Sequence, residues 1–178
     1  HMRDTLIIYS TTDGHTRKIS NYISSILIKK RFVEVVPIEN ISQIDITLYN
    51  NFIIGASVRY GGHSKEIIKF VRNNSKFFED KYTSFFSVNA TARKPEKNTP
   101  SKNPYIKKFF DITSWNPKRA AVFAGKIDYP SYRLFDKLII RFIMFLTNGP
   151  TDTKSTYDFT NWSQVEDYAM NILRDIEK

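Results

Sequence analysis

Short apolar runs alternate along this chain with stretches in which apolar residues recur every three or four positions. Leu6-Ile7-Ile8-Tyr9 has the length and β-branching of a strand buried on both faces, and it stops at Ser10-Thr11-Thr12-Asp13-Gly14. Ile19, Tyr22, Ile23, Ile26 and Leu27 then predict an amphipathic helix over 15–31. Val33–Ile38 reads as a second strand and Asn51–Ser57 as a third, ending at the Gly61-Gly62 break. Ile67, Phe70 and Val71 mark another helix. Ser84–Asn89 and Ala120–Gly125 supply the fourth and fifth strands. Val165, Tyr168, Ala169, Ile172, Leu173 and Ile176 line one face of a closing helix, with Asn161 as N-cap and Gln164 completing a capping box.

Apolar strands alternating with helices mean a parallel sheet covered on both faces, and right-handed crossovers leave few topologies. The pattern predicts an α/β, three-layer, doubly wound fold on five parallel strands. Its 178 residues suit one domain. The absence of cysteine excludes disulfides, a thiol nucleophile, Fe–S clusters and cysteine-ligated zinc, and three histidines argue against a histidine-rich metal site, so no metal is expected. No apolar run approaches the ~20 residues of a membrane-spanning helix. The N-terminus lacks a signal-peptide layout, and His1-Met2 reads as a cloning remnant, so a cytoplasmic location is the default expectation.

Charge is unevenly placed. Residues 93–146 hold 12 basic and 4 acidic side chains, which is +8 of the chain's net +9. Such a block invites an anionic partner: nucleic acid, acidic lipid or a carboxylated substrate. The basic residues come without the aromatic-rich strand motif of an RNA-reading sheet, so a nucleic-acid binder is the weaker alternative and no nucleic acid is expected.

Ligands of such sheets sit beyond the carboxyl ends of the strands, which directs attention to three loops. Ser10, Thr11, Thr12, Asp13, Gly14, His15 and Thr16 place hydroxyls and free N–H groups at a helix N-terminus, suited to a phosphate, although the same residues are good helix caps. Gly55 to His63 is rich in small residues that permit close approach of a flat ligand, and Tyr60 offers a stacking face. Ser87 to Pro95 begins small and polar and turns basic.

Together these loops resemble the phosphate loop and ring-flanking loops of flavodoxin-like FMN proteins. Tyr9 to Thr16, Ile54 to Gly61, Ser87 to Lys97, and Ala124-Gly125 followed by Tyr129-Pro130-Ser131-Tyr132-Arg133 are similar to the bacterial quinone-dependent protoporphyrinogen oxidase family, as are Thr151-Asp152-Thr153 and Asn161-Trp162. The similarity runs from Met2 onward. It implies a flavodoxin-like domain over 1–178 with a long-chain-type insertion at 129–156. It also implies noncovalent FMN, and oxidation of protoporphyrinogen IX to protoporphyrin IX in haem biosynthesis with menaquinone or ubiquinone as acceptor. Carried over by position, Ser10 to Thr16 surround the FMN phosphate. Val58, Arg59, Tyr60 and Gly61 flank one side of the ring, and Ser87, Val88, Asn89, Ala90, Thr91, Ala92 and Arg93 the other. The third loop departs from many flavodoxins in having no aromatic. The alternatives are a flavodoxin-type electron carrier and an NAD(P)H:quinone reductase.

Arg59, Arg93 and Lys94 are candidates to hold substrate carboxylates, because Arg grips them bidentately. His63 is a weak candidate for proton transfer, since an ordinary imidazole titrates near neutrality. In the segment Tyr129 to Gly149, the run Leu134 to Leu146 is dense in apolar side chains, and Arg133, Lys137 and Arg141 recur every four residues on one stripe. This predicts an interfacial helix at the inner face of an anionic membrane, giving quinone access; a buried core helix or a homo-oligomer interface is the competing expectation.

Overall fold

A computed structural model describes residues 4–178, so the expectation for His1-Met2 lies outside the described residues. In chain order the elements are β1 (Thr5–Ser10), α1 (His15–Leu27), β2 (Val33–Pro37), β3 (Asn51–Arg59), β4 (Gly62–His63), α2 (Lys65–Asn73), α3 (Ser75–Phe78) and β5 (Tyr82–Val88). There follow α4 (Pro104–Thr113), β6 (Arg119–Phe123), β7 (Lys126–Asp128), α5 (Leu134–Leu146), β8 (Thr156–Asp158) and α6 (Trp162–Glu177).

β2-β1-β3-β5-β6 form one parallel sheet in that order. This is the flavodoxin-like order, with its reversal between β1 and β3, and it matches the five expected strands. Alternation along each strand divides the core. Leu6, Ile8, Phe52, Ile54 and Phe85 face α2, α3 and α4 through Ile67, Val71, Phe78, Ile106 and Phe109. Ile7, Ile53, Phe86 and Phe123 face α1 and α6 through Ile19, Ile23, Val165 and Ile172. Strands buried on both faces are continuous apolar runs for this reason.

Three features differ from the sequence expectations. β3 continues two residues past Ser57 and folds back on β4 as an antiparallel hairpin, with Val58 opposite His63 and Arg59 opposite Gly62. Tyr60 and Gly61 turn the chain at φ 53° and 82°, the positive values that a tight two-residue hairpin turn demands. Helix α4 was not foreseen, although Asn103 followed by Pro104 is a helix-start signal: the Asn103 side chain accepts the N–H groups of Tyr105 and Ile106. At α6, Asn161 accepts the Gln164 N–H at 3.3 Å, so the forward half of the expected capping box forms.

Between β6 and α6 the chain builds its own small layer. β7 pairs antiparallel with β8, and Ile127, Tyr129 and Met144 form a separate cluster beneath α5. The Tyr129 hydroxyl donates to the Pro150 carbonyl at 2.6 Å, tying the start of this segment to its end.

Candidate functional site

At the carboxyl ends of β1, β3 and β5, the three loops singled out from the sequence converge on one cleft. Its walls include Thr12, Asp13 and Thr16, Val58 to Gly61, and Val88 to Thr91. The segment after β6 closes it with Gly125, Lys126, Ile127, Tyr132, Ile140, Ile143 and Met144, and α4 adds Tyr105.

The first loop is built for an anion. Gly14 adopts φ 90°, which swings the chain into α1 without a Cβ to strain. The Thr11 hydroxyl accepts the Gly14 N–H at 2.8 Å, and Asp13 Oδ1 accepts the His15 N–H at 3.1 Å. Thr11 and Asp13 therefore act here as caps, and an entering phosphate competes with them for those donors. Beneath the turn, Ser10 Oγ and Thr16 Oγ1 are buried, with residue exposures of 6% and 0%, and have no hydrogen-bond partner. A buried unpaired hydroxyl is costly, and an anion's oxygens at this helix N-terminus would satisfy both groups.

His15 is the exception in that loop. Its Nε2 lies 2.6 Å from Thr160 Oγ1, whose proton is directed to the Ala124 carbonyl at 3.2 Å, so the imidazole donates. Burial pulls its pKa down against the upward influence of Asp158, and its ring sits edge-on to Trp162. The side chain thus joins α1 to the start of α6, while His15 also lines the cleft.

On the hairpin, Tyr60 is exposed at the tip and free to stack. Arg59 Nη2 donates to Thr12 Oγ1 at 3.2 Å, and its guanidinium lies 5.2 Å from the Tyr132 ring centre. It therefore crosses the cleft from the hairpin to the phosphate loop and to the later segment. Gly55 serves packing instead of ligand approach: a Cβ there would lie 2.1 Å from Cζ of the buried Phe86 ring.

The third loop is divided. Val88, Asn89, Ala90 and Thr91 line the cleft, whereas Ala92 packs on Val122 and Ala124. Ser87 is fully buried, and its Oγ lies 2.6 Å from His63 Nε2 while accepting from Asn89 Nδ2 at 2.9 Å. His63 packs edge-on to Phe85 and Phe109, and burial, reinforced by nearby Lys108, pushes its pKa down to about 4. A largely buried imidazole hydrogen-bonded to Ser87 holds the polar core of this loop, an environment unlike the exposed loop position the sequence suggested. Asn103 extends the same network to Asn89, Thr91 and the Lys97 carbonyl.

The basic candidates separate likewise. Arg93 Nη1 donates to the Ala90 carbonyl at 2.7 Å, and Nη2 donates to the Thr147 carbonyl and hydroxyl, both at 3.2 Å. Its fork is thus engaged by the Ala90 carbonyl and both Thr147 oxygens, where the sequence reading expected a substrate carboxylate. Lys94 is partly exposed and does not line the cleft. Tyr105 and Lys126 are among the wall residues that the sequence reading did not name as site residues. For Tyr105, the Asn103-Pro104 helix start was the available signal.

α5 covers the cleft with one side only. At 3.6 residues per turn, Ile140, Ile143 and Met144 share the inner face. Leu134, Phe135 and Phe145 on the outer arc are 72%, 72% and 71% exposed. The same helical geometry places Lys137 and Arg141 along one border of that arc. Among the described residues, no helix is long and apolar enough to cross a membrane.

A flavodoxin domain family model matches residues 6–154. Across the whole chain, the protoporphyrinogen IX dehydrogenase [quinone] of Escherichia coli (strain K12) is 38% identical over 177 residues, covering 98% of this chain and 97% of that protein. The protein of the same name from Leishmania major is 40% identical over 166 residues, covering 92% of this chain and 72% of that one. Among solved structures, a flavodoxin from the domain Archaea superposes with a TM-score of 0.53 at 14% identity, covering 98% of this chain and 99% of its own. That likeness reflects the shared fold. With a flavodoxin order of strands, an anion-ready first loop and 38% identity over nearly the full length, the chain belongs to the quinone-dependent protoporphyrinogen IX dehydrogenase family of flavodoxin-domain proteins.

Proposed function

We propose that this protein oxidises protoporphyrinogen IX to protoporphyrin IX with FMN as cofactor and a quinone as electron acceptor. Family membership carries the reading, and the chemistry of the cleft supports it. Ser10, Thr16 and the N-terminus of α1 suit the FMN phosphate, while Tyr60 and the Val88–Thr91 wall suit a flat ring. When bound, FMN supplies two-electron acceptor chemistry at its ring. The six-electron oxidation of one porphyrinogen then corresponds to three quinones reduced to three quinols, with six protons balanced.

The chain's own residues supply position and environment. Ile140, Ile143 and Met144 keep water from one side of the cleft, which suits both a macrocycle and a quinone. Arg59 is the remaining cation of the expected set that spans the cleft, and it is the residue we assign to anionic groups of flavin or substrate. His63 stays neutral and outside the proton path. The electron-carrier and NAD(P)H:quinone reductase readings are not favoured by the family match.

The same reading treats 1–178 as one flavodoxin-like domain with 129–156 as its insertion, and places the outer arc of α5 on the anionic inner face of the membrane. Six large apolar side chains on that arc (Leu134, Phe135, Leu138, Phe142, Phe145 and Leu146) are exposed beside Arg133, Lys137 and Arg141. That is the amphipathic layout of an interfacial helix. A lipid-soluble quinone is reached most directly from there.

The test is anaerobic incubation of FMN-reconstituted protein with protoporphyrinogen and a quinone analogue, followed through porphyrin fluorescence. Fluorescence that grows only with FMN and quinone together is the expected result. Bound FMN without porphyrin formation would leave an electron carrier.

A further inference from the structure

We propose that Arg93 is a positioning residue that sets how α5 closes over the cleft, joining the wall loop to the end of the insertion helix. The proposal rests on the oxidase reading for its kinetic arm only. Arg93 lies at the end of a short helical turn, Ala90–Arg93, whose first residues line the cleft. Its guanidinium holds the Ala90 carbonyl of that turn and, across 54 residues of sequence, both oxygens of Thr147.

Thr147 is where α5 stops. Asn148 takes φ 59° and the Gly149 N–H returns to the Met144 carbonyl at 2.6 Å, the left-handed turn and backward bond of a Schellman ending. The Thr147 carbonyl is one of the last four of α5, which lack partners within the helix, and Arg93 supplies its donor and places a cation at the negative end of the helix dipole. Gly149 is packed tightly against the junction: a Cβ there would stand 2.5 Å from Met144 Sδ and 3.0 Å from Arg93 Nη2.

Little else holds this helix. Met144 is its one buried residue, and its outer arc has no protein against it. The inner face nevertheless supplies the cleft wall through Ile140, Ile143 and Met144. The Arg93 fork therefore fixes the distance between two walls of the cleft, the α5 face and Ala90–Thr91.

The experiment compares FMN-loaded wild type with Arg93→Gln, Arg93→Lys and Gly149→Ala. The last disturbs the junction from the helix side while leaving Arg93 in place. Amide hydrogen exchange over 140–149 should rise about tenfold in Arg93→Gln, since a charge-assisted bond is lost and local opening follows. The core strands should be unchanged. KM for porphyrinogen should rise severalfold, with the FMN dissociation constant within about twofold of wild type. Gly149→Ala should move both readouts in the same direction, and Arg93→Lys should recover part of each. A raised KM with unaltered exchange would overturn the proposal in favour of direct contact between Arg93 and substrate. Raised exchange with unaltered KM would overturn it by showing that the position of α5 does not govern entry. If Arg93→Gln fails to fold, Gly149→Ala carries the same two readouts. Wild type that does not oxidise porphyrinogen would refute the functional reading and leave the exchange result to stand or fall alone.

Discussion

Replacing His63 should flatten the acid limb of the protein's stability curve. In the native state the imidazole is buried against Phe85 and Phe109, with Nε2 hydrogen-bonded to Ser87 Oγ, and burial lowers its pKa from 6.5 to about 4. The unfolded chain restores an ordinary imidazole. Between those two values the unfolded state binds the proton and the native state does not, so stability falls as pH is lowered through that window. The contribution is fully present above 6.5, is lost progressively down to about 4, and is constant below. At about 1.4 kcal/mol per unit, the full loss is about 3 kcal/mol, which corresponds to roughly 6–12 °C in melting temperature for a chain of this size.

The assay is thermal and urea unfolding of wild type and His63→Gln from pH 4 to 8, read as the difference between the two curves. His15 is also shifted downward by burial, but it is present in both proteins and cancels in the difference. The lowered carboxylates Asp158 and Asp175 lose their contributions at and below the ordinary aspartate range, under the same cancellation. A difference that grows from acid to neutral pH and levels off above 6.5 is expected. Parallel profiles, or an imidazole titrating near 6.5 by NMR, would refute the buried neutral assignment and return His63 to the list of proton-transfer residues.

Ser10→Ala and Thr16→Ala should each weaken FMN about 10- to 150-fold, because a hydrogen bond to a charged group is worth roughly 1.5–3 kcal/mol. The apo protein should be no less stable, since both hydroxyls lack partners there; unchanged FMN titration would sink the phosphate assignment. Gly55→Ala should lower the melting temperature by several degrees through overpacking against Phe86, and Gly55→Ala/Phe86→Leu should regain part of it. Asn103→Ala should cost about 2–4 kcal/mol in urea unfolding, because it strands several buried partners at once; a loss under about 0.5 kcal/mol would show the network to be dispensable. Replacing Arg133, Lys137 and Arg141 by Gln should reduce binding to anionic vesicles about a hundredfold at low salt, at about 1 kcal/mol per charge, with FMN affinity unaltered. Vesicle binding indifferent to these changes would assign the exposed arc of α5 to another partner.

The local pattern was enough to identify the five strands, helices α1, α2 and α6, and the loops at the strand ends. Strands buried on both faces must be continuous apolar runs, and Leu6–Tyr9, Asn51–Ser57 and Ser84–Asn89 carry that signature whatever their neighbours are. The anion-ready first loop was legible for a related reason, since helix N-termini need hydroxyls and a permissive glycine within a few residues. What each long-range side chain does was not legible. His63 looks like an exposed loop histidine until the hairpin folds it onto Ser87, and Arg93 looks like a free cation until the end of α5 arrives with unpaired carbonyls. Gly55 looks like room for a ligand until Phe86 fills it from the next strand. Periodicity reports which face of an element is dry, because that is decided by the element itself. The partner of a buried polar group depends on which distant segments the crossovers bring together, and the buried His63, the engaged Arg93 and the filled Gly55 were therefore decided only by the tertiary structure.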